Sequence, residues 1–273
     1  MNANAGPESY RSVFISDTHL GTRGCRSDFL ADFLARISCQ RLFLVGDIID
    51  GWRLRKSWYW DATHDEVVRL VLCHARAGTE VTYIPGNHDE MFRAWLPPLF
   101  PGGLEVAGIR LMPEASHVTA DGRRLLVTHG DAFDSVVRYA RVLAVLGDGA
   151  YTLALTLNRW FNVVRRRLGY PYWSLSAWMK RQVKEAVKAI GRFEIALASE
   201  ARRRGFDGVV CGHIHHAEMR DVGGVLYVND GDWVESCTAL VEHHDGRLEL
   251  VDWAALNGLS FYASVGAGLP QAA

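Results

Sequence analysis

The sequence predicts an α/β protein in which two packed β-sheets carry helices on their outer faces. Two observations lead there. In the first half, short apolar runs alternate with amphipathic stretches, an order that builds parallel strands joined by right-handed crossovers. After Leu104 the texture changes to short strands punctuated by Asp-Gly turns, as a second, partly antiparallel sheet would require. The chain of 273 residues, 49% of them hydrophobic, is long enough to bury a core of that size.

The elements follow in order. Residues 12–16 (SVFIS) read as a buried strand and 27–37 as a helix with apolar residues on one face. Residues 41–45 (RLFLV) form the next strand, 62–77 the next helix, and 81–84 (VTYI) a third strand. Residues 116–119 and 125–128 flank Asp121-Gly122 and predict a hairpin. Residues 208–211, 225–228, 236–243 and 247–253 are further strands, the last two joined at Asp245-Gly246.

Between these strands lies a helical insertion, so the core is expected at residues 10–133 and 205–255, with the insertion at 134–204. Residues 158–204 hold 12 Lys and Arg against three Glu, a local charge of +9, which leaves −10 for the rest of the chain. Residues 264–273 read as a disordered tail, being small and polar.

Composition excludes several classes. Counts of 26 Gly and 8 Pro are ordinary, so the chain is neither collagenous nor disordered. A net charge of −1 excludes a generic nucleic-acid binder. Five scattered cysteines without a CxxC pair argue against a disulfide framework or a zinc ribbon. The N-terminus lacks a basic region followed by an apolar run, so no signal peptide is expected. The longest weakly charged stretch, residues 142–158, is shorter than the ~20 apolar residues of a spanning helix. A cytoplasmic protein is the expectation.

Five polar clusters carry the chemistry: Asp17-Thr18-His19, Gly46-Asp47, Gly86-Asn87-His88-Asp89, His129-Gly130-Asp131 and Gly212-His213-Ile214-His215. Each follows a predicted strand, and α/β sheets bind ligands at strand carboxyl ends. A lone Asp or His in such a place is more often a helix cap or a satisfied core group. Five together gather oxygen and nitrogen donors without thiolates, a set suited to Mn²⁺, Fe or Zn²⁺. Seven donors exceed one tetrahedral ion and suffice for two ions roughly 3.5–4 Å apart, which can clamp a phosphoryl displacement. Asp50 and Asp131 are either supporting groups or caps. His64, His74 and His117 read as ordinary surface or core histidines, and His216, His243 and His244 as surface ones.

These blocks, taken jointly, resemble the signature of the calcineurin-like metallophosphoesterases, whose fold is a two-sheet αββα sandwich. The resemblance spans residues 13–215, and the strands to about 253 also fit. It implies that Asp17, His19 and His215 bind a first metal and that Asn87, His129 and His213 bind a second. Asp47 would bridge the two ions, most simply Mn²⁺. His88 would sit near the phosphoryl group without binding metal, with Asp89 orienting it. Paired cations lower the pKa of water and take up charge on phosphoryl oxygens.

The substrate class must come from outside that core. The insertion combines apolar runs, aromatic residues and a basic stretch in which Lys180, Lys184 and Lys188 share one helix face. A helical lid of this kind suits an amphiphile carrying acyl chains and phosphates. The layout, with Asp17-Thr18-His19-Leu20 and residues 46–52 (GDIIDGW), is similar to the bacterial UDP-2,3-diacylglucosamine diphosphatases of lipid A synthesis. That subgroup implies pyrophosphate hydrolysis to UMP and 2,3-diacylglucosamine 1-phosphate at the cytoplasmic face of the inner membrane. Tyr139, Lys180, Arg181 and Lys184 are the candidate substrate contacts. A phosphodiesterase or phosphatase with another, possibly lipid-linked, substrate is the alternative; a non-catalytic metal-binding scaffold is a third reading.

Overall fold

The computed structural model describes residues 8–96, 103–133, 167–169 and 175–256. Tyr139, most of the 134–204 insertion and the 264–273 tail lie outside the described residues.

The strands are β1 (Glu8–Ile15), β2 (Ile37–Val45), β3 (Glu80–Ile84), β4 (Leu104–Val106), β5 (Ile109–Leu111), β6 (Ala115–Val118), β7 (Arg124–Val127), β8 (Gly208–Cys211), β9 (Glu218–Asp221), β10 (Leu226–Asn229), β11 (Thr238–Glu242) and β12 (Leu248–Asp252). The helices are α1 (Ser27–Arg36), α2 (Gly51–Lys56), α3 (Ala62–Arg76), α4 (Leu175–Arg203) and α5 (Trp253–Leu256), with 3₁₀ turns at Glu90–Trp95 and Asp131–Phe133. One sheet has the order β12-β11-β1-β2-β3-β5-β4, the other β6-β7-β8-β10-β9. Strands β1, β2 and β3 are mutually parallel, as are β7, β8 and β10. Their carboxyl ends therefore emerge together within each sheet.

Side chains alternate across the first sheet as the pleat demands. Phe14, Phe43, Val45, Ile84 and Leu240 face the other sheet and pack with Leu125, Val127, Val210 and Val228. Phe14 and Phe43 stack with ring centroids 4.7 Å apart. Burial of each such side chain stabilises the sandwich by about 1.5–3 kcal/mol. Val13, Ile15, Leu42, Leu44 and Val81 point the other way, onto Leu30, Phe33 and Leu34 of α1 and Val67 and Val71 of α3. Asp61 starts α3 by accepting from the amides of Thr63 and His64.

Several features differ from the sequence reading, and β1 and β2 each begin four residues earlier than expected. α2 is too short for a helical period to register, and β4, β5 and β9 are strands of three or four residues. β11 begins at Thr238 rather than 236, because Ser236 and Cys237 belong to the turn closed by Asp232.

The chain divides into two compact units, residues 1–131 with 198–273, and residues 132–197. The cysteines are free thiols, with Cys25, Cys211 and Cys237 buried. Among the described residues no helix is long and apolar enough to cross a membrane.

Candidate metal centre

Each strand that reaches the centre ends in a sharply bent loop. Asp17, His19, Asp47, His213 and His215 all have positive φ, between 49° and 74°. Non-glycine residues adopt that left-handed conformation at a cost, and five in one place mark a geometry imposed by the surroundings. Backbone bonds tie the loops together: Asp17 N donates to Gly46 O (3.0 Å), His19 N to Asp47 O (2.9 Å) and Gly212 N to His129 O (3.3 Å). Two glycines allow the close approach. A Cβ at Gly86 would overlap Asp47 Oδ1 and His129 Nε2, and one at Gly212 would overlap Asp17 Oδ2.

Asp17, His19 and His215 form one group whose ligand atoms lie within 4.8 Å of one another, and Asp47, His129 and His213 form a second. Asp47 also falls in a third group with His19 and His88, which joins the first two. In the first group, Asp17 Oδ1 is 3.2 Å from His215 Nε2, and His19 Nε2 is 3.3 Å from His215 Nε2. In the second, His129 Nε2 is 3.4 Å from Asp47 Oδ2. Nδ1 of His129 donates to Val45 O at 2.9 Å, so Nε2 is the nitrogen left for the centre.

These residues fit divalent cations. Asp17 Oδ1, Asn87 Oδ1 and His129 Nε2 are buried and make no hydrogen bond. The second oxygens of both carboxylates are occupied, Asp17 Oδ2 by His213 N and Ser16 Oγ, Asp47 Oδ1 by His88 N. The open atoms of Asp17 and His129 belong to the two ligand groups, where an uncompensated set would be costly. Charge in the centre is finely opposed. Burial would raise the Asp17 carboxyl, but His215, His129 and His19 outweigh it and hold it well below the usual carboxylate range. Burial would lower His129 and His215, yet Asp47 and Asp17 beside them push the imidazoles up to about 10 and about 9. The centre therefore calls for positive charge, which protons or cations can supply.

His88 differs from the other histidines. Its ring lies against the Trp52 ring (4.3 Å) and against the edge of His19 (4.6 Å). Its Nδ1 is 3.1 Å from Asp50 Oδ2. The expectation that Asp89 orients His88 is corrected here. The Asp89 carboxylate is spent on two backbone amides and one side chain, accepting from Ile48 N (2.9 Å), Gly86 N (2.5 Å) and the Tyr83 hydroxyl (2.5 Å). It shapes the loops that present Asp47 and His88, while Asp50 faces the imidazole. Asp50 also caps α2 through Oδ1, accepting from Arg53 N at 2.8 Å. Asp131 pairs in bidentate fashion with Arg93, at 2.6 and 2.7 Å.

Other histidines settle elsewhere. His64 and His117 are buried, His74 donates to Leu34 O, and His216 is exposed beside Glu218. Arg181 and Lys184 are exposed on α4; Lys180 belongs to the same helix. The sequence reading missed a sixth polar cluster, Asn229-Asp230-Gly231-Asp232, which begins at the last residue of β10 and continues into the loop after it. Its position after a strand was the available signal. It packs behind Asp17: Ser16 Oγ lies 2.6 Å from Asp230 Oδ1, and Trp233 N donates to Asp17 O at 3.2 Å.

A family model described as calcineurin-like phosphoesterase matches residues 10–217. A UDP-2,3-diacylglucosamine hydrolase of Xanthomonas campestris is 24% identical over 254 residues, covering 86% of this chain and 96% of its own. Its counterpart in Neisseria gonorrhoeae is 26% identical over 240 residues, covering 81% and 89%. A DNA polymerase II small subunit of Thermoplasma acidophilum is 23% identical over 240 residues, 80% of this chain but 44% of its own. Among solved structures, an archaeal phosphodiesterase is similar over 88% of this chain and 98% of its own, at 12% identity and a TM-score of 0.40.

Proposed function

The chain belongs to the calcineurin-like phosphoesterase family, a premise from which we propose that it cleaves the pyrophosphate of UDP-2,3-diacylglucosamine, giving UMP and 2,3-diacylglucosamine 1-phosphate. Family membership makes it a metal-dependent hydrolase of phosphoester or anhydride bonds. The observation that carries the finer reading is length. The relatives named for that substrate are matched over about nine-tenths of their own chains, whereas the Thermoplasma polymerase subunit is matched over 44%.

Asp17, His19 and His215 are the proposed ligands of one ion, Asn87, His129 and His213 of the other, with Asp47 between them. When bound, two divalent cations, Mn²⁺ in preference to Fe or Zn²⁺, supply Lewis acidity and a lowered pKa for water. The chain does the rest. His129 is locked in one tautomer by Val45 O, and Asp17 Oδ1 is a buried carboxylate oxygen without a hydrogen bond. His88, held by Asp50 and Trp52, is the proposed group that donates to the leaving phosphate oxygen. Lys180, Arg181 and Lys184 of α4 are the proposed contacts for anionic groups of the substrate. Peripheral contact of the basic stretch with anionic lipid head groups, at the cytoplasmic face of the membrane, belongs to the same proposal.

A second reading, a phosphodiesterase or phosphatase with another substrate, is favoured by the similar identity of relatives with unlike names, 23% against 24%. The Mn²⁺-loaded protein, assayed by chromatography for UMP, distinguishes the two. Release from UDP-diacylglucosamine and little from UDP-glucose is expected. Equal rates on both, or turnover of bis-p-nitrophenyl phosphate alone, would leave the second reading.

A further inference from the structure

Ser16 follows β1 and Asp230 follows β10, and the two meet directly behind Asp17. Ser16 Oγ is 2.6 Å from Asp17 Oδ2, 2.6 Å from Asp230 Oδ1 and 3.2 Å from Gly231 O. All three side chains are buried, with 1% exposure for Ser16 and 0% for both aspartates. At 2.6 Å two oxygens repel unless a hydrogen lies between them. A hydroxyl owns one hydrogen, so Ser16 can donate to only one of the two carboxyl groups. The other carboxyl must donate to Ser16, and it can do so only while it carries a proton.

The surroundings decide which one. Asp17 Oδ2 also accepts from His213 N at 2.7 Å, and Asp17 Oδ1 is 3.2 Å from His215 Nε2. That setting suits an ionised carboxylate. Asp230 Oδ2 is buried without a hydrogen-bond partner, which is far costlier for a carboxylate oxygen than for the carbonyl of a neutral acid.

We propose that Asp230 is a neutral acid whose Oδ1–H donates to Ser16, which in turn donates to Asp17 Oδ2, so that Ser16 and Asp230 are positioning residues for a metal-binding carboxylate. The chain of bonds points one way, toward the metal centre. It saturates Oδ2 of Asp17 and leaves Oδ1 as the edge offered to a cation. It also adds no second negative charge behind that ligand. Burial, which holds the Asp230 carboxyl well above the usual carboxylate range, agrees with this assignment. The surrounding backbone keeps the geometry fixed. Asp230 N donates to Cys211 O (3.1 Å), Thr238 Oγ1 to Asp230 O (2.8 Å) and Asn229 Nδ2 to Gly212 O (2.6 Å). The positioning role rests on the metal-centre reading given above; the place of the proton does not.

The test compares Asp230→Asn, Asp230→Ala and Ser16→Ala in the full chain, by Mn²⁺ titration against a chelator and by infrared spectroscopy of the metal-free protein. Asn keeps an N–H to donate, so Asp230→Asn should hold Mn²⁺ within about threefold of wild type, while the two alanine variants lose about 10–100-fold. The infrared spectrum of wild type should show the carbonyl band of a protonated carboxylic acid that Asp230→Asn lacks. Loss of affinity in Asp230→Asn equal to that in Asp230→Ala, absence of the band, or failure of Asp230→Asn to fold would each overturn the neutral acid. Unchanged affinity in Ser16→Ala would overturn the link to Asp17. Wild-type protein that binds no Mn²⁺ yet shows the band would overturn the metal-centre reading and the positioning role together.

Discussion

His88 Nδ1 stands 3.1 Å from Asp50 Oδ2, and the same carboxylate approaches His19 Nδ1 at 3.5 Å while its other oxygen caps α2. One acid therefore touches the residue proposed to act on the substrate and a residue proposed to bind metal. His88 lies on a loop after β3 and Asp50 on a loop after β2, and Gly51 N donates to His88 O at 3.0 Å to bind the loops together.

From that relationship, His88→Ala should lower turnover by about 10²–10⁴ and leave metal content unchanged, because Asp50 still supports His19. Asp50→Asn should lower turnover and weaken metal binding together, the latter by about 10-fold or more. Metal analysis by mass spectrometry beside kcat checks the split. Metal loss in His88→Ala would place that histidine among the ligands instead.

Asp47 connects the two ligand groups and accepts from His88 N at 2.7 Å. Asp47→Ala should thus leave less than about 10% of wild-type activity even at saturating metal. A larger residual rate on bis-p-nitrophenyl phosphate would count against a shared carboxylate.

Gly86→Ala would force a methyl group onto Asp47 and His129, each held by a hydrogen bond to the backbone. Overpacking of this kind costs about 1–3 kcal/mol. A lower melting temperature is expected, together with loss of metal. Unchanged values for both would mean that the loop after β3 has room the geometry does not show.

Stability at low pH should depend on Glu242, far along the sheets from the metal centre. Burial would raise its carboxyl, but bonds from His117 Nε2 (2.7 Å) and Ala120 N (2.7 Å) and contact with Ser12 lower it from 4.5 to about 2. A carboxyl depressed in the folded state favours folding above its unfolded value. That contribution is lost as pH falls from about 4.5 toward 2. Urea midpoints at pH 6 and pH 3 should differ less in Glu242→Gln than in wild type; equal pH slopes would refute the assignment.

Much of the molecule was legible in the sequence because its signals are local. Alternating runs such as Val13-Phe14-Ile15 and Leu42-Phe43-Leu44 announce two-sided strands, and the polar clusters announce themselves by following those strands. The short elements α2, β4, β5 and β9 left no period to read. Asp89 was expected to orient His88 because the two are adjacent in sequence, yet adjacent residues on a bent loop point in different directions. Asp89 turned to the amides of Ile48 and Gly86, and the partner of His88 came from another loop.

The polar clusters, the main alternation of strands and helices and the phosphoesterase class were already written in the linear chain, since each depends on residue type and near neighbours. What only the tertiary structure decided is which acid serves which base. Asp50 reaches His88, Asp230 reaches Ser16 and Glu242 reaches His117 across sequence separations of 38, 214 and 125 residues. Ion pairs and hydrogen bonds act over about 3 Å, so their pairing is set by the packing of loops at the strand ends and not by any pattern along the chain.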